Sequence, residues 1–343
     1  MSCMCKFIPD EVLTRLANDS KIKNFDRDAL QRTLAVDRQM RLVREANASL
    51  SASSSMIAES LVPLAKKPVI KVFDCQHGSV LPGTPVPNPQ SSPDQTVKRT
   101  GKNTTDVAKF FRQVFGRNSL DGQGMDLISS VHYGNKYNNA FWNGQQMTYG
   151  DGDNNIFVDF TRGNDVIGHE LTHGLTQFTS QFAYSNEPGG LNESMSDVFG
   201  SMFRQWQAKQ TVTAADWLIG SDIMGPAAKA QGYTCLRNMA KPKDTHALAP
   251  QPWHYSDYQP GMDPHTSSGI PNNAFYRAAI TVGGESWKKV GKVWFQALTG
   301  YGPSPQLTMK QFADRTRTVA GQMFPAGGTV KKAIDTAWNA VGL

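Results

Sequence analysis

The sequence predicts an α+β protein of two lobes, a β-rich first lobe and an α-helical second lobe, with a small helical module ahead of both. Three observations predict it. Strand-like runs broken by Gly, Pro and Asn turns fill residues 69–160, and from Asp165 onward the apolar spacing turns helical. A Ser/Ala-rich stretch, "ANASLSASSSM" (46–56), sets the N-terminal module apart.

Residues 9–18 and 25–47 have the spacing of helices. In the second, Leu30, Leu34, Val36, Met40 and Val43 mark one face, while arginines and Glu45 fill much of the rest. The Ser/Ala stretch has little to bury and predicts a linker or a cleavable joint. "VIKVF" (69–73) predicts a strand, followed by a Pro/Gly-rich loop through 98. "TTDVAKFFRQVFG" (104–116) predicts a helix capped by Thr104 or Thr105 and closed by Gly116. "LISSVHYG" (127–134), "NAFWNGQQMTYGDGD" (139–153) and "NIFVDF" (155–160) predict strands, with Asn143-Gly144 as a hairpin turn. Helices are expected at 165–180, 189–208, 272–283, 308–321 and 329–341. The expected divisions are 1–55 (helical module and linker), 56–188 (first lobe, including the helix at 165–180) and 189–343 (second lobe).

The 343 residues suffice for two lobes with real cores. No apolar run approaches the ~20 residues of a membrane span. The start, "MSCMCKFIPDEVLTRL", meets an acid too soon for a signal-peptide apolar region. The expectation is a chain made in the cytoplasm, with export by a non-classical route left open. The net charge of +6 is spread along the chain, without a basic run interleaved with aromatics, which points away from nucleic acid. Four cysteines (Cys3, Cys5, Cys75, Cys235) are too few and scattered for a disulfide framework.

The chemistry concentrates in "DVIGHELTHGLTQ" (165–177). Helical residues four apart differ by about 40° in direction and roughly 6 Å along the axis. His169 and His173 can therefore aim both imidazoles at one metal, at the ~2.0–2.1 Å of a Zn–N bond. Glu170 sits off that line, where it can face a metal-bound water rather than the metal. A catalytic zinc needs a third protein ligand, and Glu193 in "GGLNESMSDVFG" (189–200) supplies a candidate. Asp197, one turn further on, shares its face and can accept the second N–H of His169 or His173.

"HELTH" followed by "NESMSD" resembles the thermolysin-like zinc metalloendopeptidases. "VHYGNKYNNAFWNGQQMTYGDGD" (131–153), "HTSSGIPNNAFY" (265–276) and the order of the chain from about residue 70 extend the likeness. "CKFIPDEVLTRLAND" resembles the short propeptide of the protealysin branch. The resemblance implies a two-lobe fold with the zinc helix between the lobes. It makes His169, His173 and Glu193 the zinc ligands, and Glu170 the base that activates water and later protonates the leaving amine. Tyr184 and His265 would stabilise the oxyanion. Asn139 and Ala140 would pair with the substrate backbone, and Arg237 would hold the carbonyl just beyond the cut. Phe157, Phe160, Val166, Ile219, Ile223 and Leu236 would line the pocket for the residue after the cut, implying cleavage on the amino side of bulky apolar residues. The N-terminal segment would keep the enzyme latent and be removed autocatalytically within 47–68.

Two features depart from the family pattern. The aspartate that orients the oxyanion histidine is either Asp263 or Asp257 here. Asp165 and Asp216 match a paired calcium site, yet Arg204, Leu218 and Ser221 stand where carboxylates belong, so at most one weak calcium site is expected. Cys3 or Cys5 is a further candidate thiolate ligand for the zinc. The implied partners are protein or peptide substrates and the chain's own propeptide, with room for a protein inhibitor; neither nucleic acid nor membrane is expected, and a monomer is. Two rival readings are weaker. A catalytically impaired zinc-binding scaffold or inhibitor-binding protein could have lost Glu170, which is kept, and an aminopeptidase needs an amine-capturing acidic motif that is not seen before the zinc helix.

Overall fold

The computed structural model describes residues 5–51, 67–325 and 328–343, the side chains of 41–51 excepted. Cys3, the Val43 side chain and the part of the Ser/Ala joint after Ser51 lie outside the described residues.

Strands β1 (Cys5–Lys6), β2 (Ile70–Asp74), β3 (Thr84–Val86), β4 (Leu127–Val131), β5 (Ala140–Trp142) and β6 (Met147–Tyr149) form one sheet, in the order β1-β5-β6-β4-β2-β3. The inner β2–β4 and β4–β6 pairs are parallel and the remaining pairs antiparallel. A parallel pair needs a crossover, and the helix between β2 and β4 supplies it. The N-terminal module holds helices α1 (Asp10–Asn18) and α2 (Asn24–Ser51), as its periodicity predicted. It is not purely helical, because β1 adds itself to the free edge of β5. A two-residue strand leaves no periodicity to read; only the edge that receives it makes it a strand.

The crossover helix α3 (Gln95–Phe115) starts nine residues before the expected Thr104, at the cap Asp94, whose carboxylate accepts from the backbone N–H of Thr96 and Val97. The run "TVKRTGKNTT" has poor helix formers, yet Thr96, Thr100, Asn103 and Thr104 are buried along one face. Packing outweighs propensity there. The expected strand at 155–160 is absent. Asp153 accepts from the N–H groups of Asn155, Ile156 and Phe157, and Asp159 caps a short turn at Phe160–Arg162. These two acids curl an apolar run that otherwise looks extended. Only Phe157 keeps a β-bridge, to Met224.

Helix α4 (Asn164–Gln177) and helix α5 (Asn186–Ala208) pack face to face, so the division drawn at 188/189 falls inside α5. The second lobe continues with β7 (Leu218–Ile219), α6 (Pro226–Ala230), β8 (Arg237–Asn238), α7 (Pro264–Ser267), α8 (Gly269–Val282), α9 (Val290–Thr299), α10 (Met309–Met323) and α11 (Thr329–Ala340). Of these, β7, α6, β8, α7 and α9 were not expected. The core of the lobe is aromatic, with Trp294 stacked on Trp338 at 5.8 Å between ring centroids.

Two glycines set the α4–α5 distance. A Cβ on Gly168 would stand 3.0 Å from the Gly200 Cα, and one on Gly200 would stand 2.6 Å from the Asp165 carbonyl and 3.2 Å from the His169 nitrogen. Any larger residue pries α5 from the helix that carries His169. Gly200→Ala should destabilise the fold by about 1–3 kcal/mol and weaken zinc binding, which thermal unfolding and zinc titration check; unchanged zinc affinity would contradict this role.

Candidate active site

Helix α4 projects His169 and His173 from one face, and α5 brings Glu193 opposite them. The two Nε2 atoms are 3.0 Å apart. His169 Nε2 lies 3.4 Å from Glu193 Oε2 and His173 Nε2 lies 3.5 Å from Glu193 Oε1. Atoms bound to one tetrahedral metal at ~2.0–2.1 Å stand roughly 3.3–3.4 Å apart. Glu193 is fully buried, and its Oε2 has no hydrogen-bond partner. A buried carboxylate oxygen without a hydrogen-bond partner is costly, and a divalent metal between these three side chains satisfies it. The group therefore fits zinc.

The far sides of the ligands are held in turn. Asp197 Oδ1 accepts from His169 Nδ1 at 2.9 Å, which fixes that ring with Nε2 toward the metal position. His173 Nδ1 faces Asn192 Oδ1 at 2.9 Å and Ser196 Oγ at 3.0 Å instead. Asp197 also binds Arg237 through two charge-assisted hydrogen bonds, 2.9 Å from Nε and 2.8 Å from Nη2, and accepts from Asn272 Nδ2 at 2.9 Å. Burial opposes its charge, but Arg237 and His169 hold its carboxyl down at about 2.

Glu170 is fully buried, and neither carboxylate oxygen meets a hydrogen-bond partner. Burial pushes its carboxyl up to about 8, against the pull of the His169 and His265 charges. Across the cleft, the Tyr184 hydroxyl donates to Glu193 and lies 3.3 Å from His265 Nε2. The open question over His265 has an answer: its Nδ1 faces Asp263 Oδ1 at 3.0 Å, while Asp257 pairs with Lys243. Pro264 starts α7 and keeps Asp263 extended, so the same carboxylate caps the helix and reaches the ring. Burial alone would lower the His265 pKa; Glu193 and Asp263 together raise it.

The N-terminal segment lies in the cleft. Phe7 N–H donates to the Ala140 carbonyl (3.0 Å), and Asn139 brackets Ile8 by accepting from its N–H (2.8 Å) and donating to its carbonyl (3.1 Å). The Lys6 carbonyl is 2.6 Å from His265 Nε2, and the Phe7 carbonyl accepts from Arg237 Nη1 at 3.2 Å. The fully buried Phe7 ring stands edge-on to His169 at 5.0 Å, beneath the Arg237 guanidinium at 5.1 Å, and against Gly220. Phe157, Phe160, Val166, Ile219, Ile223 and Leu236 are all buried, and Leu236 borders Gly220, as Phe7 does. Cys5 is held in β1 opposite Trp142 and is not among the side chains that converge on the metal position. Arg204 reaches Asp216 (3.3 Å), Asp165 (3.9 Å) and also Asp222 (3.4 Å), which the sequence reading had not singled out.

Asn192, Ser196, Asn272, Phe7 and Lys6 were likewise missed. The first three are small polar residues in buried helices, and a polar residue inside an apolar helical face is the one signal that marks them. Asp263→Asn should lower peptide-hydrolysis turnover about 10-fold or more with metal content intact, whereas Asp257→Asn should change neither. Steady-state kinetics with metal analysis checks both, and equal losses from the two variants would refute the assignment.

Comparison with known proteins agrees with this geometry. Residues 70–177 match the family described as thermolysin metallopeptidase, catalytic domain, and residues 180–343 match its alpha-helical domain. Protease PrtS of Photorhabdus sp. (strain Az29) is 38% identical over 283 residues, covering 79% of this chain and 76% of that protein. An extracellular metalloprotease of Pectobacterium carotovorum subsp. carotovorum is 42% identical over 243 residues, 68% of this chain and 69% of that one. The precursor of protealysin, a metalloproteinase from Serratia proteamaculans, superposes with a TM-score of 0.83 at 35% identity, over 98% of this chain and 99% of that one. With both halves of its catalytic body matched and its zinc-ligand group assembled, the chain belongs to the thermolysin family of zinc metalloendopeptidases.

Proposed function

We propose that this endopeptidase cuts on the amino side of bulky apolar residues and is made latent by its own N-terminal segment, which it later removes. One observation carries the reading: Lys6, Phe7 and Ile8 run along β5 with backbone and side chain engaged as a substrate's would be. In that register the Lys6 carbonyl marks the attacked carbonyl, and Phe7 marks the residue after the cut. An aromatic ring fully buried there supports a preference for Phe- or Leu-sized side chains.

Bound to His169, His173 and Glu193, zinc supplies a Lewis acid and a water of lowered pKa. Glu170 takes a proton from the attacking water and hands it to the leaving amine; a carboxyl raised by burial is suited to both transfers. His265, oriented by Asp263, donates to the negative oxygen that develops on the carbonyl, and Tyr184 is near enough to join it. Arg237 anchors the next carbonyl, while Asn139 and Ala140 hold the strand.

The same contacts explain latency. Asp37 of α2 accepts from Tyr137 Oη and from Asn139 Nδ2 (3.1 Å) and lies 3.6 Å from Lys6 Nζ. Thr33 Oγ1 accepts from the Asn138 N–H at 3.0 Å. Phe7→Ala should cost about 3–5 kcal/mol of docking, so the uncut chain gains peptidase activity. Unchanged latency would argue against the proposal.

We also propose that Arg204 substitutes for calcium between Asp165, Asp216 and Asp222, leaving one weak site at most. Arg204→Glu should raise calcium affinity, measured by calorimetry; two calcium ions bound to wild type would refute it. Self-removal is tested by following intact mass with time. Zinc-loaded wild type should lose its segment within 47–68 while Glu170→Ala stays whole, and loss from both, or from neither, would contradict autocatalysis.

A further inference from the structure

Strands β2 and β4 end side by side at Asp74 and Val131. Past their ends the chains stay paired: Cys75 N–H donates to the Val131 carbonyl (2.9 Å), His77 to that of His132 (2.8 Å) and Gly134 to that of Gly78 (2.9 Å). This register sets the His77 and His132 rings together, 5.5 Å between centroids. Strand β6, parallel to β4, ends at the same edge and delivers Asp151 two residues later.

The three side chains converge. His132 Nδ1 lies 2.9 Å from each Asp151 oxygen, and His77 Nδ1 lies 3.3 Å from Asp151 Oδ2. Their ligand atoms fall within 4.8 Å of one another, the only such group among the described residues besides His169, His173 and Glu193. Behind His132, its Nε2 faces Asp94 Oδ2 at 3.1 Å. That is the arrangement Asp197 imposes on His169: one ring nitrogen held by a carboxylate, the other left to point at a ligand position.

We propose that His77, His132 and Asp151 form a second metal site, for a zinc-like divalent cation, with Asp94 positioning the His132 ring. Two imidazole nitrogens and one carboxylate favour zinc, cobalt, nickel or copper over calcium or magnesium, which take oxygen ligands. The spacings of 2.9 and 3.3 Å approach those of the catalytic group. Both histidines sit in left-handed backbone, His77 at φ 61° and His132 at φ 51°, with Gln76 at 52° just before. Non-glycine residues are held that way where the surroundings demand it, often where a ligand is held. The charge around the ring suits a cation, with Asp151 on one side of His132 and Asp94 on the other.

The His77 side chain is 61% exposed, so the site opens to solvent and its metal exchanges readily. It lies on the edge of the first lobe and joins the ends of β2, β4 and β6 to the start of α3. Its consequence is stability of that lobe, without a part in peptide hydrolysis.

The test uses the full chain carrying Glu170→Ala, so that it stays intact, dialysed against zinc and assayed for bound metal. The expectation is about two zinc ions per chain, falling to about one on adding either His77→Ala or Asp151→Asn. A His173→Ala chain should keep one zinc, and zinc should raise its unfolding temperature; that rise should vanish on adding His77→Ala. Two outcomes overturn the proposal: one zinc per chain in the Glu170→Ala background whether or not His77 is present, or a second zinc that survives both substitutions. The first would leave the cluster a hydrogen-bonded histidine between aspartates.

Discussion

The buried carboxylate of Asp197 is the constraint on which the site depends. It fixes the ring of His169, neutralises Arg237 and takes a hydrogen bond from Asn272 on α8. A histidine of the metal group, the guanidinium that holds the Phe7 carbonyl and the packing of the second lobe thus meet on one side chain. Removing one member of such a buried network strands the others without partners, a loss of about 3–5 kcal/mol for an ion pair. His169 and Arg237 are therefore coupled through Asp197 rather than held independently.

The backbone makes that coupling possible. Gly168 and Gly200 let α4 and α5 approach until Glu193 meets both histidines and Asp197 reaches behind one of them. On the other side, β5 offers an edge on which an extended segment can lie with its carbonyls toward His265 and Arg237. The N-terminal segment uses that edge through β1, and α1 and α2 fasten it. Val36 and Met40 of α2 pack against Tyr133, Tyr137 and Phe141, and Asp37 reaches the loop that leads into β5. Sheet edge and zinc-ligand group are thus covered by one continuous stretch of chain.

Much of this was legible in the residues, for reasons that can be named. A spacing of four on a helix aims His169 and His173 at one point and puts Glu193 and Asp197 on one face of the next helix, from which Glu193 meets the metal position and Asp197 the back of His169. The two-lobe division followed from a change of period near Asp165. What escaped were features fixed by distant partners, or by local carboxylate caps that an apolar run hides. β1 exists only because β5 has an open edge, and residues 155–160 curl because Asp153 and Asp159 fold the backbone onto their own carboxylates. Helix α3 extends back to Asp94 because its threonine face is buried. Asn192 and Asn272 brace the site from helices whose contacts no local pattern reveals. The choice between Asp263 and Asp257 needed the turn at Pro264 in three dimensions.

The most direct test of the central coupling is Asp197→Asn, an isosteric change that removes the charge. Zinc affinity should be measured by competition with a chelator, and KM and kcat on a short peptide at saturating zinc. The account predicts zinc affinity lower by about 10–100-fold together with a higher KM, because Arg237 loses the partner that orients it. Circular dichroism establishes that the variant is folded. A folded variant that loses zinc affinity with KM unchanged, or keeps its zinc affinity altogether, would contradict the claim that one carboxylate ties the metal to the substrate anchor.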